Sequence, residues 1–268
     1  MNILIVVFVF IYGLLLGSFL NCMVWRLYKE ESLMNRSYCP KCHKKISWYD
    51  NIPLLSFALL GGRCRHCHKK ISWQYPAVEL ISGLLFVAVF FHYFRWVLPT
   101  DAMLLNAWTL KTFWLIFLRD LLIVFMMLAI FIYDFRWLLI SVNLIIVAAV
   151  LFLGLDIFLG YDYISIATAL VIGIAFFGTQ FLVTRGRGIG EGDIWLGGLM
   201  ALMFPRTDML LLAIFSSYIV GATIGIALII FKGKKMESKL PLGVFLAFGS
   251  IIALFFGEKL LALFFGGF

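Results

Sequence analysis

Two aspartates stand where apolar segments would meet water: Asp134 in Ile132-Tyr133-Asp134-Phe135 and Asp193 in Gly190-Glu191-Gly192-Asp193. A carboxylate at the edge of a bilayer is costly and asks for a function. Two carboxyl groups brought together share a proton, because like charges a few ångströms apart cannot both ionise. One can then act as base on a water while the other, protonated, polarises a peptide carbonyl. The glycines suit that chemistry. A membrane-spanning substrate arrives as a helix with hidden peptide bonds and must be opened into an extended strand. Gly190 and Gly192 lack Cβ atoms, so the enzyme backbone can approach and pair with such a strand. The plainer alternative makes residues 186–192 a loop and Asp193 the N-cap of the next helix. A phosphate-binding loop is excluded, since no Lys-Ser/Thr follows.

A second cluster carries metal chemistry. Cys39-Pro-Lys-Cys42 and Cys64-Arg-His-Cys67 each run into the same continuation, Cys-His-Lys-Lys-Ile-Ser-Trp, ending at Trp48 and at Trp73. Two CxxC pairs so spaced suit a tetrahedral Zn²⁺, with two thiolates offered by each turn. Neighbouring basic residues favour the thiolate forms. A site closed by Cys39, Cys42, Cys64 and Cys67 has no open position for water, so the zinc would be structural. Disulfides are the alternative, and a reducing compartment disfavours them. Haem attachment through the CxxCH string needs an exterior compartment. Cys22, at the end of an apolar run, reads as a small buried residue.

Both clusters must be positioned by membrane helices. The 268 residues are 63% hydrophobic and 13% charged, against roughly half and a quarter in soluble domains. Apolar runs long enough to cross hydrocarbon predict helices near 3–24, 77–96, 112–133, 137–156, 163–183, 193–205, 208–231 and 241–265. The fold class expected is an all-α polytopic membrane protein of about eight transmembrane helices. Residues 1–25 form the first of them, 26–76 a zinc-ribbon-like loop, and 77–268 the core that carries the aspartates. The first run has no basic residue before it and no small-residue cleavage site, so it reads as a retained span.

Ten of the 22 Lys and Arg residues fall within 26–76. Placing that loop in the cytoplasm also puts Arg136, Arg185, Arg187, Lys232, Lys234, Lys235 and Lys239 inside, as the positive-inside rule requires. The turn at 156–162 then faces outward, both termini face the exterior, and Asp134 and Asp193 share the cytoplasmic edge. The net charge of +8 reports topology and contact with the lipid bilayer, and needs no nucleic acid. Arg119 and Asp120, neighbours inside the third span, read as packing or topology determinants. Glu79, after Tyr75-Pro76, suits a helix start and is also a candidate to meet a basic substrate segment.

Taken in order, the motifs resemble those of the bacterial type IV prepilin peptidases (prepilin leader peptidase/N-methyltransferases). The chain carries Gly17-Ser18-Phe19-Leu20-Asn21 followed by Arg26. It then carries Asp50-Asn51-Ile52-Pro53 with Ser56, Gly62-Arg63-Cys64-Arg65-His66-Cys67, and Tyr75-Pro76 with Glu79. Gly188 to Asp193 matches the GxGD site, and Leu240-Pro241-Leu242-Gly243 with Phe245-Leu246-Ala247 the C-terminal string. Two departures stand out. The family's Pro-Asp after the first catalytic aspartate is replaced by Ser141-Val142, and its Lys two residues after the second by Trp195.

The resemblance implies a peptidase that removes a short basic leader from type IV prepilins or pseudopilins at the inner-membrane cytoplasmic face. It also implies methylation of the new N-terminus with S-adenosylmethionine as donor. A general GxGD intramembrane protease and a non-catalytic zinc-loop scaffold are the competing readings.

Overall fold

The computed structural model describes residues 3–96, 107–232 and 240–266, and it is helical throughout its apolar segments. Among the described residues, seven helices are long and apolar enough to cross a membrane. Among the described residues, strand-like pairing is confined to two isolated bridges. The chain divides into two compact units, Met1–Leu104 and Leu105–Phe268.

In the first unit, α1 (Ile3–Lys29) packs against α3 (Gln74–Trp96), and the cysteine loop connects them through a short helix α2 (Leu55–Leu59). Lipid tails supply no hydrophobic drive between helices, so spans associate where small residues let backbones touch. Gly13 and Gly17, four apart, form such a stripe. A Cβ on Gly13 would come 2.8 Å from Gly83 Cα, and one on Gly17 would come 2.8 Å from Glu79 Cα and 2.9 Å from Ser82 Cβ. Most of those neighbours are backbone and cannot yield. Gly17→Ala is therefore expected to destabilise by about 1–3 kcal/mol through overpacking. A lowered thermal midpoint of the purified protein would register it, and an unchanged midpoint would show that the helices do not meet there.

Polar side chains complete this contact. Asn21 donates from Nδ2 to Gly17 O (3.3 Å) and Tyr75 O (3.2 Å), while its Oδ1 accepts from Gln74 Nε2 (3.4 Å). The end of α1 is thereby tied to the start of α3. Arg26 is buried, and its guanidinium donates to Leu33 O at 2.6 Å and Asn35 O at 2.5 Å, pinning the chain that leaves α1.

The second unit comprises α4 (Ala107–Trp137), α5 (Val142–Leu159), α6 (Tyr163–Thr184), α7 (Glu191–Met203), α8 (Thr207–Lys232) and α9 (Leu242–Phe265). α8 pairs with α9, α9 with α4, and α7 packs on α5, α6, α8 and α9. The sixth expected span is α7, and it is the exception among the helices. Its 13 residues reach about 20 Å, short of the roughly 30 Å of hydrocarbon. It is also the most enclosed helix, with Leu196, Leu199, Met200, Ala201, Leu202 and Met203 all in the core. Backbones meet again at glycines here, since a Cβ on Gly173 of α6 would fall 2.5 Å from the Gly197 carbonyl of α7. Large apolar side chains such as Val183 and Phe231, each 84% exposed, point away from the core, as lipid-facing residues do.

Several boundaries differ from expectation. α4 continues to Trp137, so Asp134 lies inside its last turn rather than at its end, and Leu138 closes the helix with a left-handed φ of 53°. α5 then begins at Val142 rather than 137, because a turn intervenes.

Candidate active site

Asp134 and Asp193 come together in the second unit. Both are buried, at 5% and 7% exposure, and they lie near enough for their charges to interact. Asp134 Oδ2 accepts the Val244 N–H at 3.2 Å. That amide belongs to the first turn of α9, where N–H groups lack intrahelical partners. The approach needs Gly243, since a Cβ there would stand 2.9 Å from Asp134 Oδ2.

Asp193 is the third residue of α7, and Gly190 occupies the N-cap. The Gly190 N–H donates to Asp193 Oδ2 at 2.8 Å, and the Asp193 N–H donates to Gly190 O at 3.2 Å. This reciprocal pair holds the carboxyl group at the mouth of the helix. The two glycines differ in setting. A Cβ on Gly192 would come 2.9 Å from Ile140 Cβ, so this glycine makes room for the turn after α4. Gly190 is exposed and meets only Asp193 Oδ2 and Gly192 N within 4 Å. The space beside its Cα is open, while its N–H and carbonyl are both hydrogen-bonded to Asp193.

Glu79 lies in the first unit, buried at 7% exposure. Its Oε2 accepts the Leu54 N–H at 2.9 Å, and Ser18 is a second hydrogen-bonding neighbour. Leu54 precedes α2 with a φ of 59°, an uncommon conformation for a side chain of that size. Glu79 thus fastens the cysteine loop to α3.

The loop builds two matching hairpins. In the first, Tyr38 bridges Lys45, the Cys39 N–H donates to Lys44 O (3.0 Å) and the His43 N–H to Cys39 O (2.8 Å). In the second, Arg63 bridges Lys70, with Cys64 N to Lys69 O at 3.0 Å and His68 N to Cys64 O at 2.9 Å. His43 and His68 take the same left-handed φ, 55° and 54°. Identical residues at an offset of 25 give identical turns. Lys41 Nζ donates to Lys70 O (2.8 Å), linking one hairpin to the other. Asp50 accepts two hydrogen bonds from Arg65, at 2.8 and 2.6 Å. Those bonds hold its carboxyl below the usual carboxylate range.

The ligand atoms of Cys39, Cys42, Cys64 and Cys67 all lie within 4.8 Å of one another, with Cys39 and Cys67 sulfurs 4.0 Å apart. Tetrahedral Zn–S bonds of about 2.3 Å place sulfurs about 3.8 Å apart, so the donor set fits zinc. Its acid–base chemistry fits as well. The Cys67 and His66 amides pull the Cys64 thiol down to about 7. The Lys44 amide favours the Cys42 thiolate, yet burial and the three neighbouring sulfurs push that thiol up to about 11. Four thiolates this close require a cation to neutralise them.

One hollow among the described residues does not suit S-adenosylmethionine. A shallow hollow of about 440 Å³ on α6 is lined by Tyr163, Ile164, Ala167, Thr168, Val171 and Ile172. Its lining is almost wholly apolar, with the Thr168 hydroxyl bonded to Ser165 O, and it offers no charge to the donor's amino-acid end.

Nothing in the sequence singles out Gly243, Val244 or the partners of Arg119 as neighbours of the aspartates or of α7. Gly243 lay within the quoted Leu-Pro-Leu-Gly string, but nothing local connects it to an aspartate on another helix.

Residues 11–93 match the family model described as the bacterial peptidase A24 N-terminal domain, a span that includes most of α1, the cysteine loop and most of α3. The prepilin leader peptidase/N-methyltransferase of Pseudomonas aeruginosa is 29% identical over 278 residues, covering 92% of this chain and 89% of that protein. The Aeromonas hydrophila protein of the same name is 29% identical over 280 residues, covering 94% and 91%. The Myxococcus xanthus protein of that name is 45% identical over 86 residues, which are 32% of this chain and 26% of the relative. No solved structure matches the chain. The resemblance to prepilin leader peptidase/N-methyltransferases drawn from the motifs therefore extends over nearly the whole sequence.

Proposed function

We propose that this protein is an aspartyl peptidase that removes the short basic leader of type IV prepilins or pseudopilins at the cytoplasmic face of the inner membrane. The observation that carries the reading is the convergence of Asp134 and Asp193 from separate helices, both buried, with Ile140 after α4 packed against Gly192 beside Asp193. One carboxylate takes a proton from water, and the oxygen attacks the peptide carbonyl, whose oxygen is hydrogen-bonded by the protonated partner. Collapse of the tetrahedral adduct breaks the C–N bond, and the leaving nitrogen receives a proton from the pair. Gly190, exposed beside Asp193 and without a Cβ, would leave room for the extended substrate strand to approach. The Lys and Arg distribution supports the cytoplasmic placement.

Zinc held by Cys39, Cys42, Cys64 and Cys67 would supply a closed cross-link of the two hairpins, with no part in the cleavage. The relatives' names join an N-methyltransferase to the peptidase, and the proposal includes that second reaction, with S-adenosylmethionine as donor. No described set of residues defines where the donor binds.

The test uses purified full-length protein in detergent. The substrate is a prepilin segment containing the leader and the adjoining apolar helix. Mass spectrometry should show loss of the leader and, with S-adenosylmethionine added, one extra methyl on the new N-terminus. An intact substrate after prolonged incubation would overturn the peptidase reading and favour the scaffold. Cleavage without methylation would remove the second reaction only.

A further inference from the structure

The end of α7 remote from Asp193 is held by a single buried arginine. The last carbonyl groups of a helix lack intrahelical partners. Arg119 of α4 donates from Nη2 to the Leu202 and Met203 carbonyls of α7, at 3.2 and 2.7 Å. Its Nε donates to Asp156 Oδ1 of α5 at 3.0 Å, and its Nη1 lies 3.7 Å from Asp120 Oδ1. The Tyr161 ring centroid is 5.4 Å from the guanidinium carbon. Arg119 is 5% exposed and Asp156 fully buried. One planar fork thus joins α4, α5 and the terminus of α7.

This grip matters because of how α7 is otherwise held. A helix that spans the bilayer is set in depth by the match between its length and the hydrocarbon. α7, at about 20 Å, is too short for that. Its contact with α6 runs along Gly173 and Gly197, with the Phe177 ring seated against Gly197, so this contact is apolar packing, and the hydrogen bonds from Arg119 tie the end remote from Asp193 to α4. Arg119 and Asp134 share the rigid frame of α4, roughly 22 Å apart along the axis. Asp193 and Met203 share α7, roughly 15 Å apart. Anchoring the Met203 end on α4 therefore fixes where the Asp193 end falls beside Asp134.

We propose that Arg119 is a positioning residue for the aspartate pair, setting through α7 the depth at which Asp193 faces Asp134. The proposal rests on the peptidase reading given above. The requirement is for a fork and not merely a cation. Two adjacent carbonyl groups and a carboxylate are met together by guanidinium, whereas an ammonium is a compact point charge.

The test compares Arg119→Lys and Asp156→Asn with wild type, as full-length proteins acting on the same prepilin segment. Arg119→Lys keeps the positive charge beside Asp156 and Asp120 but loses the simultaneous bonds to α7. Its kcat should fall by about 10²-fold, the typical cost of roughly 1 Å of misplacement. Its KM should stay within about twofold and its thermal midpoint near wild type, a split that loss of folding would not produce. Asp156→Asn keeps the bonds from Arg119 to both carbonyls and should cleave at close to the wild-type rate. Wild-type kcat in Arg119→Lys overturns the proposal. So does a folded Asp156→Asn variant that loses about 10²-fold, and this second arm decides even if the lysine variant fails to fold. Absence of cleavage by wild type instead overturns the peptidase reading, a distinguishable result.

Discussion

Replacing Asp193 or Asp134 by Asn should lower leader cleavage by about 10²–10⁴-fold, the usual contribution of acid–base catalysis. The protein should remain folded and zinc-loaded. An amide cannot take a proton from water, and it cannot share one proton with a neighbouring carboxylate. It does keep a carbonyl oxygen of the same size and place. At position 134 that oxygen can still accept the Val244 N–H, and at position 193 the Gly190 N–H, the bonds that each carboxyl group makes now. Loss of activity would then report chemistry and not collapse of the site. The double variant should be little worse than either single one, because groups that act as a unit give losses that do not add. Initial rates of leader release, measured beside thermal midpoints and zinc content, check all three variants. Cleavage by Asp193→Asn at the wild-type rate would end the aspartyl reading.

How much of this site was legible in the sequence depends on the range of each interaction. The cysteine hairpins are local. Each is closed by backbone bonds between residues nine or fewer apart, such as Cys39 N to Lys44 O and Ile46 N to Ser37 O, and the repeat is visible to the eye. The apolar spans are legible for a similar reason, since length and hydropathy alone decide them. The α1–α3 contact left a signal that went unread. Gly13 and Gly17 are a GxxxG pair, a recognised mark of close helix packing in membranes. The environment of the aspartates left almost none. Val244 reaches Asp134 across 110 positions and Arg119 reaches Met203 across 84, and no periodicity encodes those encounters. Asp193 shows how a local rule can mislead by a few residues. An acidic residue before an apolar run reads as an N-cap. Here Gly190 takes that place and the aspartate sits one turn inside, reaching back.

The other large effect expected is at the cysteine loop. Wild-type protein should carry one zinc per chain, and Cys39→Ser/Cys64→Ser should carry essentially none, because each hairpin would keep only one sulfur. In zinc-finger peptides, metal binding contributes about 10–16 kcal/mol that is largely folding free energy. Few other contacts replace it here: the loop has no apolar core of its own, and Cys39 is its one buried hydrophobic side chain. The contact Lys41 Nζ to Lys70 O lies at an exposed position, where it is worth little in water, and the Asp50–Arg65 pair, half-exposed on its arginine side, joins residues 50 and 65 without closing either hairpin. The loop in the variant should therefore become far more open to a protease added to detergent-solubilised protein. Its two anchors should survive. Arg26 holds the exit from α1 and Asn21 the start of α3 through bonds that do not involve the metal, and the glycine contacts between the helices are likewise independent of it. Proteolysis is thus expected between about residues 36 and 73, with both helices intact. Equal zinc in the two proteins would overturn the assignment. Equal resistance to protease with zinc lost from the variant would show that the hairpins fold without it.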